Sequence, residues 1–121
     1  MGFKVLITDG LEKEGIDIIN AAGEAVDKKD IEAAELLQIV GEYDGLIVRG
    51  RTKVTKEVFD AARNLKVVGR AGVGVDNIDL EAAKAHGVTV VNAPTATTIA
   101  VAELGFGMML ALVRDIPHTD A

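Results

Sequence analysis

Short apolar runs rich in β-branched residues alternate with segments of helical periodicity along this chain, and that alternation restricts the fold more than any other feature. The runs predict strands over residues 3–8, 25–26, 46–48, 66–68 and 88–91, of which the second is the weakest. Helices are predicted over 11–22, 31–40, 55–63 and 76–86, with a fifth after Pro94. Strands that alternate with helices form parallel sheets covered on both faces. We therefore predict an α/β fold built on a doubly wound, parallel five-stranded sheet.

Short polar residues and glycines set the predicted ends of the helices. A polar side chain just before a helix accepts a hydrogen bond from one of its free N–H groups. The predicted caps are Asp30, Thr55 and either Asp76 or Asn77. Glycine follows three of the helices, at positions 23, 41 and 87, where its tolerance of positive φ favours helix termination.

Composition excludes several classes of function. The net charge of −6 argues against a nucleic-acid partner, and the lack of cysteine excludes disulfides and thiolate metal sites. Neither a Ser-His-Asp arrangement nor a cluster with metal-ligand spacing is apparent, so we predict no metal site and no catalytic residue. His86 lies beside a helix-ending glycine and is predicted to be structural. The first residues show no leader, which favours a cytoplasmic protein without membrane insertion.

The segment GRAGVGVDNID, residues 69–79, has part of the pattern of a dinucleotide-binding loop. Gly72 and Gly74 occupy the first two glycine positions, but the third position holds Asn77. The next strand ends at Asn92, where an acidic residue would bind the ribose. We therefore predict a poor dinucleotide site whose free N–H groups suit an anion. The alternative is an ordinary turn between a strand and a helix.

Arginines follow two neighbouring predicted strands. Arg49 and Arg51 lie just past the third strand, and Arg70 ends the fourth. The carboxyl ends of parallel strands share one edge, where such folds bind ligands. Arginine binds carboxylate and phosphate in bidentate geometry, and Gly50 permits a close approach to the backbone. We predict a small anionic ligand here; the alternative is a set of surface ion pairs.

The last predicted helix, 98–114, is apolar on nearly every side. Glu103 is the only charge between Ile99 and Val113, yet fifteen residues are too few for a bilayer span. A helix that is apolar all round must be buried all round. We expect it to pack against a second copy in a homodimer, or against a domain absent from this chain.

Four motifs together resemble the amino-terminal part of the D-isomer-specific 2-hydroxy-acid dehydrogenases. They are VLITDGL, YDGLIVRGRTKVT, LKVVGRAGVGVDNIDLEAAKAHGVTVVNAPTATT and VAELGFGMMLALVRDIP, in family order over nearly the whole chain. Within the family, the strongest resemblance is to the branch that oxidises 3-phosphoglycerate in serine biosynthesis. The resemblance implies a flavodoxin-like substrate-binding domain over 1–94, followed by the first helix of an NAD-binding domain over 95–121.

The resemblance also implies roles for individual residues. Arg49 would bind the acidic substrate beside the backbone of Gly50. The loop of residues 71–74 would face substrate and nicotinamide, with Val73 touching the cofactor. Thr97 stands where many relatives have an asparagine that contacts substrate. The remaining residues assigned to the substrate side are Arg70, Gly72 and Gly74.

The family's dinucleotide loop and its catalytic Arg, Glu and His would all lie beyond residue 121. The resemblance thus implies the substrate-binding portion of an NAD-dependent enzyme that neither binds NAD tightly nor turns over substrate by itself. Two alternatives stay open. The chain is a non-catalytic binding or assembly module, or it belongs to a glyoxylate- or lactate-type enzyme of the same family.

Overall fold

A computed structural model of the chain describes residues 3–10, 13–71 and 77–93. Its five strands are β1 (Lys4–Ile7), β2 (Glu24–Asp27), β3 (Gly45–Val48), β4 (Val67–Ala71) and β5 (Thr89–Ala93). Its helices are α1 (Lys13–Ala22), α2 (Ala33–Ile39), α3 (Lys56–Ala61) and α4 (Leu80–Ala85), and a 3₁₀ turn covers Val40–Glu42. The predicted alternation of strands and helices is confirmed. The helix predicted over 98–114 lies outside the described residues.

All strand pairs are parallel, and the sheet has the order β2-β1-β3-β4-β5. The chain therefore runs outward from β1 to β2, then crosses back over β1 and continues in the opposite direction through β3, β4 and β5. Right-handed crossovers place α1 on one face and α2, α3 and α4 on the other. This is the flavodoxin-like order, and its direction reverses between β1 and β3.

Two apolar clusters fill the faces of the sheet. Because side chains alternate along a strand, each strand contributes to both clusters. On one face, α1 contributes Ile19 to a cluster with Val5, Ile7, Ile47 and Val67. On the other face, the side chains of α2, α3 and α4 cover a larger cluster that includes Leu6, Leu46, Val48, Phe59 and Val68. Strand β2 is half-exposed at the edge, which explains its weak apolar signal.

Two predicted helix caps are wrong because α2 and α4 begin later in the chain than the sequence pattern indicates. Asp30 has a φ of 68° in a turn closed by Ile31 N–H donating to the Lys28 carbonyl, so α2 begins only after Glu32. Asp79, rather than Asp76 or Asn77, caps α4, and its carboxylate accepts a hydrogen bond from Ala82 N–H. The start shifts because Asn77 and Asp79 pair through their backbones with Val54.

The predictions for Thr55 and for two of the glycines are confirmed. Thr55 caps α3 by accepting a hydrogen bond from Val58 N–H. Gly23 lies between α1 and β2, and Gly87, with a φ of 70°, follows the end of α4. The third glycine, Gly41, lies within the 3₁₀ turn that extends α2, so the α-helix ends before it.

Gly23 lies so close to the main chain and side chain of Phe3 that no Cβ fits there. A methyl group there would come within 2.4 Å of the Phe3 carbonyl oxygen and 2.7 Å of the Phe3 ring. Gly23→Ala is therefore expected to destabilise the fold by about 1–3 kcal/mol through overpacking, measured by urea denaturation. Gly50→Ala is the control, since its Cβ would meet Arg70 Nη2 only at 3.7 Å. Equal stability of the two variants would contradict the packing described around Gly23.

Candidate functional site

The candidate site lies at the carboxyl edge of β3 and β4. Val48 at the end of β3 pairs with Arg70 in β4, so Arg49, the next residue, lies at the same edge as Arg70. A Cβ added to Gly50 would lie 3.7 Å from Arg70 Nη2, which places the Arg70 guanidinium beside the Gly50 backbone. The structure thus brings together Arg49, Gly50 and Arg70.

Asp9 fixes one side of the loop that follows β3. It lies after β1, and its side chain is only 4% exposed. Oδ2 accepts hydrogen bonds from the main-chain N–H groups of Arg49 at 2.8 Å and Thr52 at 3.0 Å. Oδ1 accepts from the Thr52 hydroxyl at 2.6 Å and from Arg51 Nε at 3.1 Å. One carboxylate therefore holds three residues of this loop, Arg49, Arg51 and Thr52.

The hydrogen bonds around Asp9 also determine its protonation state. Burial raises the pKa of the Asp9 carboxyl, but hydrogen bonds from Thr52 and from the main-chain N–H of Arg49, together with the charge of Arg51, outweigh it. The pKa of Asp9 consequently lies below the ordinary value of 3.8. At neutral pH the residue is an anion whose carboxylate accepts hydrogen bonds from groups of the protein itself.

The sequence predicted an anionic ligand for the three arginines, but the Arg51 guanidinium contacts protein groups instead. Its guanidinium pairs with Asp9 and donates through Nη2 to the carbonyl oxygens of Thr8, at 3.1 Å, and Ile31, at 3.0 Å. These contacts connect the loop after β3 to the segment before α2. For Arg51, the alternative of an ion pair with a nearby acid is the arrangement observed.

Asn77 fixes the other side of the same loop. Its side chain is buried, and Nδ2 donates to the carbonyl oxygens of Arg49, at 2.7 Å, and Thr52, at 2.6 Å. Oδ1 accepts a hydrogen bond from Arg70 Nε at 2.6 Å. The residue that occupies the third glycine position of a dinucleotide loop therefore connects β3 and β4 at their carboxyl ends.

Arg49 differs from both neighbouring arginines. Its backbone is held from two sides by Asp9 and Asn77, and its side chain is half-buried. Within the described ranges, no residue hydrogen-bonds or ion-pairs with its guanidinium. A half-buried cation on a fixed backbone is suited to bind an anion from solution.

The arrangement also explains where a ligand can lie. Doubly wound sheets bind ligands in the crevice where strand order reverses, which here is between β1 and β3. That crevice is spanned by hydrogen bonds that Arg49, Arg51 and Thr52, in the loop after β3, donate to Asp9, which follows β1. The groups available for a ligand are consequently displaced by one strand, to the edge of β3 and β4.

The described residues do not fit a complete dinucleotide site. The third glycine position holds the buried Asn77, whose amide is engaged by Arg49, Thr52 and Arg70. Strand β5 carries no acid at Asn92. Four of the predicted positions, Gly72, Val73, Gly74 and Thr97, lie outside the described residues, so their predicted roles stay predictions.

Other features of the described chain do not form competing sites. A groove of about 280 Å³ between α2 and α3 is lined by apolar residues such as Leu36 and Val58 and reaches Arg51 and Thr52, but it is not lined by Arg49 or Arg70. His86 stacks on Phe59, and its Nε2 lies 2.9 Å from the Asp60 carboxylate. Hydrogen bonds from Lys56 and His86 hold the pKa of Asp60 below its usual value.

Neither a metal-ligand cluster nor a membrane-spanning helix occurs in the part of the chain that the structure describes. Residues 3–10, 13–71 and 77–93 contain no group of three or more His, Cys, Asp or Glu side chains able to hold a metal ion. No helix within these ranges has the length and apolar character needed to cross a membrane.

Comparison with known proteins identifies the family. The sequence profile described as "D-isomer specific 2-hydroxyacid dehydrogenase, catalytic domain" matches residues 5–112. The chain belongs to the D-isomer-specific 2-hydroxy-acid dehydrogenases. It is 50% identical over 118 residues to a D-3-phosphoglycerate dehydrogenase of Methanocaldococcus jannaschii, covering 98% of this chain and 22% of that protein. A protein of the same name from Synechocystis is 47% identical over 117 residues, covering 97% of this chain and 21% of the relative.

Solved structures of 2-hydroxy-acid dehydrogenases and related proteins share the fold. An NAD⁺-bound 3-phosphoglycerate dehydrogenase of Entamoeba histolytica matches with a TM-score of 0.72 and 31% identity, covering 90% of this chain and 38% of that chain. The PH0520 protein of Pyrococcus horikoshii matches with a TM-score of 0.73 and 33% identity, covering 76% and 28%. The present chain spans about a fifth of the length of the curated relatives named above, with coverages of 22% and 21%.

The resemblance inferred from the motifs is therefore confirmed at the level of the family, with D-3-phosphoglycerate dehydrogenases among the similar relatives. Three residues that organise the site of this dehydrogenase chain were not predicted: Asp9, Thr52 and Asn77. Asn77 had been considered only as a helix cap and as the third position of a dinucleotide loop. A polar residue at the end of a buried strand next to the reversal point is the one sequence signal that could have indicated Asp9.

Proposed function

We propose that this chain is the substrate-binding portion of an NAD-dependent D-3-phosphoglycerate dehydrogenase, which oxidises 3-phosphoglycerate to 3-phosphohydroxypyruvate in serine biosynthesis. The single observation that carries the proposal is Arg49, whose backbone is fixed at the carboxyl edge of β3 and whose guanidinium has no partner among the described residues. The names of the similar relatives support the choice of substrate.

The chemistry of the edge favours a strongly anionic substrate. Arg49 supplies the group that binds an anionic end of the substrate, and Gly50 leaves its backbone open to close approach because it has no side chain. Arg70 adds a second positive charge to the same edge. A phosphorylated hydroxy acid carries charge at both ends, which suits this edge better than the single carboxylate of lactate or glyoxylate.

Hydride transfer requires residues in addition to those described. Because Asn77 and Asn92 replace the glycine and the acid of a dinucleotide site, we propose that the chain by itself does not bind NAD tightly. Residues 95–121 would then form the first helix of an NAD-binding domain, and residues 1–94 the substrate-binding domain. The catalytic acid-base groups would be supplied by polypeptide outside this chain.

A hydride-transfer assay tests the proposal. The 121-residue chain and the full-length reading frame that contains it are each mixed with NAD and 3-phosphoglycerate, and NADH is followed by absorbance. We expect NADH from the full-length protein only, with D-lactate and glycolate as poorer substrates. Turnover by the chain alone would overturn the division of roles. A full-length protein that prefers lactate or glycolate would favour the glyoxylate- or lactate-type alternative, and one without activity would favour a binding module.

We further propose that the apolar segment 98–114 forms a homodimer contact. A helix without a polar face needs cover on all sides, and a second copy supplies it. Light scattering of the 121-residue chain is expected to give the mass of a dimer. A monomer that persists at high concentration would contradict this assignment.

A further inference from the structure

We infer that Asn77 is a positioning residue for substrate binding, because its one buried amide holds the Arg49–Thr52 loop and the Arg70 guanidinium in fixed relation. The inference deepens the proposed function and rests on it. Asn77 itself is placed beneath the binding edge: within the described residues its side chain makes hydrogen bonds to Arg49, Thr52 and Arg70, at 2.6–2.7 Å.

The amide chemistry suits this role. An asparagine amide provides two donors on one end and an acceptor on the other. In Asn77 the donor end is engaged by two carbonyl oxygens of the loop, those of Arg49 and Thr52, and the acceptor end receives Arg70 Nε. Aspartate has the same shape but no donor. No other common side chain of that size reproduces both ends.

The backbone around Asn77 reinforces the contact. The Asn77 carbonyl accepts a hydrogen bond from Val54 N–H at 2.8 Å, and the Val54 carbonyl accepts one from Asp79 N–H at 2.9 Å. Asn77 is therefore tied to the loop after β3 by main chain and side chain together. Because both ends of its amide are fixed, a displacement of the loop would be transmitted to Arg70.

The geometry predicts a selective kinetic effect. Without the amide, the loop is still held by Asp9, so the fold persists, but the carbonyls of Arg49 and Thr52 lose the Asn77 donor and Arg70 Nε loses the Asn77 acceptor. Arg49 then samples orientations that do not match the substrate anion. Binding of substrate is weakened, whereas binding of NAD to a separate domain is not.

Steady-state kinetics of the full-length enzyme test this inference. Asn77→Ala and Asn77→Asp are each expected to raise KM for 3-phosphoglycerate about tenfold, the scale of one lost hydrogen-bonded positioning contact, while KM for NAD stays within twofold. Asp79→Ala is the matched control. It removes the nearby cap of α4 without removing a side-chain contact to the loop, so it lowers stability and is expected to leave both KM values unchanged.

A double variant separates positioning from general destabilisation. If Asn77 acts through Arg49, adding Asn77→Asp to Arg49→Ala should raise KM by less than threefold further, because the group being positioned is already absent. Full multiplication of the two single effects would overturn the inference, as would an unchanged KM in Asn77→Asp. If Asn77→Ala does not fold, Asn77→Asp and Asn77→Ser supply the same comparison, with Ser expected to be the milder because it keeps one donor.

The outcome distinguishes this inference from the proposed function. If Arg49→Ala leaves KM for 3-phosphoglycerate unchanged, the proposed function fails. If Arg49→Ala raises KM but the Asn77 variants behave like Asp79→Ala, the proposed function stands and the positioning role is wrong.

Discussion

Replacing Arg49 by alanine in the full-length enzyme is expected to raise KM for 3-phosphoglycerate by about tenfold to hundredfold, with KM for NAD unchanged. A hydrogen bond to a charged group contributes about 1.5–3 kcal/mol, and each 1.4 kcal/mol corresponds to a factor of ten in affinity. The rise in KM lies near the top of this range if two guanidinium nitrogens bind the anion in bidentate geometry. Steady-state kinetics with each substrate varied in turn measure it.

Two further variants separate geometry from charge. Arg49→Lys keeps the positive charge but loses the planar pair of donors, so we expect an intermediate KM. Arg63→Ala removes an exposed arginine in the turn after α3, with the same change in net charge, and is expected to leave KM unchanged. If Arg63→Ala and Arg49→Ala raise KM equally, long-range attraction rather than a direct contact is responsible.

Loss of the Asp9 carboxylate is expected to cause the largest fall in stability. Asp9→Ala leaves the Arg51 guanidinium without its ion-pair partner and removes the acceptor of two main-chain N–H groups and of the Thr52 hydroxyl. Each of these donors that is left without an acceptor costs about 1–3 kcal/mol, whereas the Arg51 side chain, 48% exposed, remains partly solvated. Since whole domains are stable by about 5–15 kcal/mol, the combined cost is a large fraction. Urea denaturation measures the difference in unfolding free energy.

Asp9→Asn is expected to destabilise the fold nearly as much as Asp9→Ala, because the two carboxylate oxygens accept hydrogen bonds from different donors. In one orientation of the asparagine amide, its NH₂ group faces the main-chain N–H groups of Arg49 and Thr52. In the other orientation, it faces Arg51 Nε and the Thr52 hydroxyl. A change below about 0.5 kcal/mol, typical of surface substitutions, would contradict the network described here. Asp17→Asn, an exposed acid in α1, is the control.

The stabilisation by Asp9 should depend on pH in a defined direction. Because the folded-state pKa lies below the ordinary value of 3.8, the stabilisation is fully present above that value. It is lost as pH falls from 3.8 through the lower folded-state pKa, where the carboxylate becomes protonated. The difference in unfolding free energy between wild type and Asp9→Asn is thus expected to be constant near neutrality and to shrink in this acid range. A difference that grows with acidity would contradict the assignment.

The sequence predicts the sheet well because the strands are buried. Runs such as Leu46 to Val48 are apolar at every position, as a strand covered by helices on both faces requires. Strand β2 gave a weak signal because it lies at the edge and is half-exposed. The start of α2 was mispredicted because Asp30 adopts positive φ in a local turn, and that of α4 because a distant contact sets it. Val54 pairs with Asn77 and Asp79, and no local pattern encodes that pairing.

The candidate site was predictable only in part, for the same physical reason. That Arg49 and Arg70 share an edge follows from parallel strand geometry, which requires no knowledge of side-chain contacts. The positions of Asp9 and Thr52 in the site depend on a hydrogen bond between residues 43 positions apart. Local pattern reasoning cannot choose which of many polar residues meet across such a distance, so the network that fixes Arg49 was missed.

A crystal structure of the full-length enzyme with 3-phosphoglycerate would test the central claim most directly. We expect an anionic group of the substrate at about 2.7–2.9 Å from the Arg49 guanidinium, the usual length of a charge-assisted hydrogen bond, beside the Gly50 backbone. The Asp9 and Asn77 contacts to the loop should be unchanged. Substrate bound elsewhere, with the Arg49 side chain turned to solvent, would contradict the account.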